Sequence, residues 1–265
     1  MTAQTPHTPA DSSGNGAAGS RPWIILPGMT MPPEDFARLA AALPGEARVL
    51  DAYAVALTAP VATVREWFLA RGPWSQVRLV GHSAGGMAAL EWLLAYPEEV
   101  ECAFLLEPSD PDEPPSRLLP ATAAHRAVAA LLSAAGSWAW LARRLGRAGR
   151  RAFWRLFTTE PDPLPARDVD RIWGCRQGLL AVWLQVFDRF VQEGRVRALL
   201  EEGHRPTPPV FVVVGDAAEP YQAALSERLG GALARTSGDH LFPVLRPAET
   251  AELIVRLAGT PAARP

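Results

Sequence analysis

From Trp23 onward the chain alternates two hydrophobic patterns. Short runs of consecutive apolar residues, closed by turn residues, are followed by stretches in which apolar positions return every three or four residues. The runs Trp23 to Leu26, Ala47 to Tyr53, Val77 to Val80 and Val100 to Leu106 predict strands. The stretches from Pro32 to about Leu43, from Val61 to Arg71 and from Ala84 to Tyr96 predict helices; the first opens on prolines and acids. Strands apolar on both faces must be covered on both faces. The pattern therefore predicts an α/β fold, a doubly wound and mostly parallel sheet between two helical layers.

The alternation breaks after the proline-rich segment Glu107 to Pro115. From Ser116 to about Arg205 only helical spacing remains, with interruptions near Gly136, at Gly146 to Gly149 and at Glu160 to Pro163. It resumes at Val210 to Val214, with a helix around Gln222 to Leu229, a short strand at Ala232 to Thr236 and a closing helix from about Ala248. The expected organisation is a disordered tail over 1–21, a core over 22–115 and 206–265, and a helical insertion over 116–205.

Composition narrows the chemistry. The chain of 265 residues carries a net charge of −2, which gives no general attraction to nucleic acid. It contains no lysine, so Schiff-base and Ser-Lys mechanisms are excluded. Cys102 and Cys175 lack metal-ligand spacing and are expected as reduced core residues. No histidine–carboxylate cluster has ligand spacing either, so neither a metal nor a cofactor is expected. Residues 1–21 lack the continuous apolar segment of a signal peptide or membrane span, so a cytoplasmic protein is expected.

The chemistry concentrates in Gly81-His82-Ser83-Ala84-Gly85, set between a predicted strand and a predicted helix. A serine on so tight a turn has a strained backbone, and its neighbours two positions away must be nearly without side chains. Its hydroxyl then stands at a helix N-terminus, where negative charge is favoured. Downstream, carboxylates and a histidine follow the last strands, in Gly215-Asp216-Ala217-Ala218-Glu219 and Gly238-Asp239-His240. Serine, acid, histidine is the chain order of a nucleophile-elbow hydrolase.

On these motifs the chain resembles the α/β-hydrolase fold superfamily, in its serine-nucleophile branch with a helical cap. Leu26-Pro27-Gly28-Met29 resembles that family's oxyanion loop. The resemblance implies Ser83 as nucleophile, His240 as general base, and the backbone N–H groups of Met29 and Ala84 as oxyanion donors. The family usually begins with two antiparallel strands; there is no room for them before Trp23, so a shortened sheet edge is expected. The acid departs from the family's pattern, because the usual position holds Ala218. Asp216 ranks first and Glu219 second, followed by the acids after the fourth strand, chiefly Glu107 and Asp110. The resemblance implies hydrolysis of an ester, thioester or related acyl bond of a small, fairly apolar substrate. Acyl transfer or thioesterase editing by the same triad, and non-catalytic ligand binding, are the alternatives. Six arginines between Arg143 and Arg155 interleave with tryptophans; that segment either packs on the core with a solvated basic face or touches an anionic membrane surface. His82 is expected to pack. The sequence is silent on oligomeric state.

Overall fold

A computed structural model of the chain describes residues 21–72, 74–112, 122–216 and 220–259. Six strands, β1 (Trp23–Leu26), β2 (Ala47–Val49), β3 (Val77–His82), β4 (Val100–Leu106), β5 (Val210–Val214) and β6 (Ala232–Arg235), form one sheet in the order β2-β1-β3-β4-β5-β6. Every neighbouring pair is parallel. β2 is shorter than its apolar run. Once Leu50 N–H has bonded to the Ile25 carbonyl, the Asp51 carboxylate accepts the Tyr53 N–H and turns the chain away.

The strand period of two sorts the core into two faces. Trp23 and Ile25 of β1 join Val80, Phe104 and Val213 under α1 (Pro33–Ala42), α9 (Phe242–Leu245) and α10 (Pro247–Ala258). Ile24 and Leu26 join Leu79, Leu105 and Val212 under α2 (Val61–Leu69), α3 (Ala84–Ala95) and α8 (Pro220–Arg228). α3 is buried from Ala84 to Leu94, so it packs on all sides instead of presenting one stripe.

Between β4 and β5 lie α4 (Thr122–Gly136), α5 (Ala139–Phe157), α6 (Ala166–Ile172) and α7 (Arg176–Glu201). The break expected at Gly146 to Gly149 does not occur; α5 runs straight through. Gly146 serves a tertiary contact instead. A Cβ there would lie 2.4 Å from the Trp173 carbonyl oxygen. Val196 and Leu200, near the end of α7, belong to the main core beside α3. Cys102 is buried and free, whereas free Cys175 is half-buried and caps α7, its Sγ accepting the Gly178 N–H.

Arg150 fastens α5 to the sheet domain. Its guanidinium, 1% exposed, donates to both Asp35 oxygens of α1 at 2.8 Å and to Asp162 after α5 at 2.7 and 2.8 Å. The Trp154 ring lies 4.6 Å from it. Opening such a pair leaves a buried charge without a partner, at a cost of about 3–5 kcal/mol.

Candidate active site

Among the described residues, three that are not glycine have positive φ: Thr30 at 64°, Ser83 at 53° and Glu107 at 44°. They follow β1, β3 and β4, at the carboxyl edge where open parallel sheets bind ligands. Strain of this kind persists only where the surroundings enforce it. At Ser83 the enforcement is visible. A Cβ on Gly81 would lie 2.4 Å from the Gly85 carbonyl oxygen, and one on Gly85 would lie 2.1 Å from that of Leu26. Ser83 donates its N–H to the Leu106 carbonyl at 2.9 Å and accepts the Gly86 N–H at 2.8 Å.

Ser83 shares a small cleft with Gly28, Met29, His82, Phe157 and His240. Its volume is about 20 Å³, room for roughly one water molecule. Met29 thus stands at the cleft wall, and Ala84 opens α3 immediately after the serine. The loop carrying Met29 is held from outside the sheet. Thr30 donates its N–H to Gln185 Oε1 of α7 at 2.7 Å, and the Tyr53 hydroxyl donates to the Thr30 carbonyl at 2.8 Å. Gln185 Nε2 in turn donates to the Ala52 carbonyl.

The carboxylate facing His240 is Glu107. Its Oε2 lies 3.6 Å from His240 Nδ1, a few tenths of an ångström beyond a hydrogen bond. Glu107 is 6% exposed. Burial alone would raise its carboxyl, but the nearby His240 and donation from Gln222 Nε2 and the Gly215 N–H hold it down at about 2. The other ranked acids stand elsewhere. Asp216 is exposed and accepts the Gly238 N–H at 2.8 Å, so it secures the turn before His240 instead of the imidazole. Asp110 accepts the Asp112 N–H within its own turn. Glu219 lies outside the described residues.

Sequence reasoning assigned His82 to packing and missed its second contact. Its Nε2 lies 2.8 Å from the His240 carbonyl oxygen, and the two rings are 4.8 Å apart. Burial, then the nearby His240, push the His82 imidazole down to about 3. The neutral ring therefore donates from Nε2 to that carbonyl and steadies the histidine loop. Gln185, Gln222 and Phe157 were missed as well; the only sequence signal was a lone amide among the apolar neighbours Leu184 and Val186.

These shifts set an acid limit. Unfolded His82 takes up a proton below about 6.5 while the folded ring does so only near 3, so stability is complete above pH 6.5 and falls as pH falls towards 3. Glu107 adds a loss of the same sign between its ordinary 4.5 and about 2. In urea melts from pH 7 to 4.5, the His82 contribution is expected to approach about 1.4 kcal/mol per pH unit. The His82→Asn variant should lose that slope. Equal slopes in the two proteins would refute the assignment.

Among the described residues, no group of histidines, cysteines and acids is placed to hold a metal ion, and no helix is long and apolar enough to cross a membrane.

Comparison with known proteins agrees with this frame. A mutant of haloalkane dehalogenase DatA from Agrobacterium tumefaciens C58 superposes with a TM-score of 0.60 at 14% identity, covering 91% of this chain and 90% of that one. Cfl2 from Burkholderia cenocepacia superposes with a TM-score of 0.64 at 21% identity, covering 91% and 89%. At such identities the likeness is one of fold. A short segment is 41% identical over 56 residues to homoserine O-succinyltransferase from Neisseria meningitidis serogroup A, spanning 18% of this chain and 14% of that protein. The alpha/beta hydrolase family matches residues 13–253. With its parallel sheet and strained serine elbow, the chain belongs to the alpha/beta hydrolase family.

Proposed function

We propose that this protein is a serine hydrolase that cleaves an ester, thioester or related acyl bond of a small, fairly apolar substrate. The observation that carries the reading is the strained Ser83 sharing a cleft with His240, whose far nitrogen faces the buried Glu107 carboxylate. His240 Nε2 would take the Ser83 proton as Oγ attacks the carbonyl carbon. Glu107 would fix the ring's tautomer and stabilise its cation. The N–H groups of Met29 and Ala84 would receive the charge on the carbonyl oxygen. The imidazolium would return its proton to the leaving group, and water, activated by His240, would release the acyl group from Ser83. Helices α4 to α6 and the first part of α7 would act as the cap. Beside it, an apolar cleft of about 580 Å³ is walled partly by Tyr53 and Gln185, the residues that hold the Thr30 loop, which suits an apolar acyl group.

The dehalogenase and epoxide-hydrolase branches of this superfamily generally use an aspartate as nucleophile, so the serine argues against their chemistry. Acyl transfer is a second reading, favoured by the segment shared with an O-succinyltransferase. It differs only in the group that accepts the acyl-enzyme. The test is a fluorophosphonate probe followed by peptide mass spectrometry. One label per chain, on Ser83, is expected, together with turnover of short p-nitrophenyl esters. No label and no turnover, alongside saturable ligand binding, would make the protein a non-catalytic binder. Turnover that requires an added alcohol or amine acceptor would establish transfer.

A further inference from the structure

α5 carries six arginines and no acid, in a chain whose net charge is −2. Two of the six are neutralised, Arg150 by Asp35 and Asp162, and Arg147 by Asp170. Among the described residues no carboxylate stands within ion-pair reach of Arg144, Arg151 or Arg155. These three are exposed and recur with Trp140 at helical spacing, so they form one stripe. Apolar groups border it. Trp138 is 63% exposed, Trp140 64% and Leu156 77%. A solvated basic face does not require two open indoles. Arginines beside exposed indoles and leucine side chains are the two halves of an interfacial helix. Indoles settle at the headgroup level of a bilayer, and guanidinium groups pair with its phosphates.

We propose that the outer face of α5 docks on an anionic lipid surface, with Arg144, Arg151 and Arg155 against the phosphates and Trp138 and Trp140 entering the headgroup layer. Charge complementarity selects this occupant. A second copy would have to set the same cationic stripe against itself across a two-fold axis, and a soluble polyanion would leave the indoles unused. The Arg150 anchor keeps the opposite side of α5 in the core, so the face is presented without unfolding.

The test is flotation of the purified protein with phosphatidylcholine vesicles and with vesicles of about one part phosphatidylglycerol to two parts phosphatidylcholine. It reads binding and is independent of any hydrolase activity. Binding to the anionic vesicles is expected to exceed that to the neutral ones by about tenfold or more. It should be lost when salt rises from about 0.1 M to about 1 M, which shortens the Debye length from about 10 Å to about 3 Å. The triple variant R144Q/R151Q/R155Q should float no better with anionic than with neutral vesicles. The double variant W138S/W140S should bind at least severalfold more weakly than wild type at equal salt. Both should keep the wild-type circular dichroism and melting temperature. Equal binding to the two vesicle types, none to either, or full binding by the arginine variant would overturn the proposal. So would heparin binding as tight as vesicle binding and indifferent to the tryptophans, or a dimer that W138S/W140S dissolves.

Discussion

Replacing Ser83 with alanine is expected to lower kcat for a short p-nitrophenyl ester by about 10⁴- to 10⁶-fold, because the nucleophile of an acyl-enzyme mechanism has no substitute. KM should change little, since the hydroxyl contributes more to the transition state than to ground-state binding. If Met29 and Ala84 supply the oxyanion donors proposed for them, some catalysis over water should survive. The fold should tolerate the change. The Ser83 backbone makes its bonds through N–H and carbonyl, and an alanine accepts the 53° φ with at most a modest rise in strain. Steady-state kinetics on wild type and variant, with thermal melts as control, check this. A variant within tenfold of wild type would remove Ser83 from the chemistry.

Glu107→Gln is expected to lower kcat by about 10²- to 10⁴-fold, as loss of the third member does in other triads. The amide keeps the shape but cannot accept at both oxygens. It would turn a donor toward either the Gly215 N–H or the Gln222 amide, both of which now donate to Glu107. A stability loss of about 1–3 kcal/mol should accompany the kinetic effect. Asp216→Asn is the contrast. Its remaining carbonyl oxygen can still accept the Gly238 N–H, so activity should stay within a few-fold of wild type. If Asp216→Asn is crippled while Glu107→Gln works normally, Asp216 is the acid and the Glu107 contact is structural.

The sequence ranks Asp216 first, whereas the carboxylate nearest His240 in space is that of Glu107, a proximity beyond the reach of sequence reasoning. Strands were legible because runs such as Val210 to Val214 are apolar at every position, and the elbow because Gly81 and Gly85 leave no space for a Cβ. Which loop brings a carboxylate to His240 is a question of space, and spacing along the chain is silent on that. One local signal was present. An acid closing the apolar run Val100 to Leu106, directly before a proline, is an odd end for a buried strand. Gly146 misled in the opposite sense. It reads as a helix breaker, yet the glycine is there to let the Trp173 carbonyl approach. Gln185 and His82 likewise acquire their roles only from contacts with Thr30 and His240, which no periodicity encodes.

If substrate reaches Ser83 as proposed, the Arg150 anchor bears on how it enters. α5 covers the serine cleft with Phe153 and Phe157, and the Phe157 ring rests 4.8 Å from the His240 ring. Lifting the helix as a rigid flap would expose a guanidinium now paired with two carboxylates in the interior. Rotation of the two phenyl rings requires no such exposure. Admission would then follow side-chain rotamer exchange, which is faster than the roughly microsecond-to-millisecond swing of a whole element. On that reading the doorway would move while its frame stays fixed.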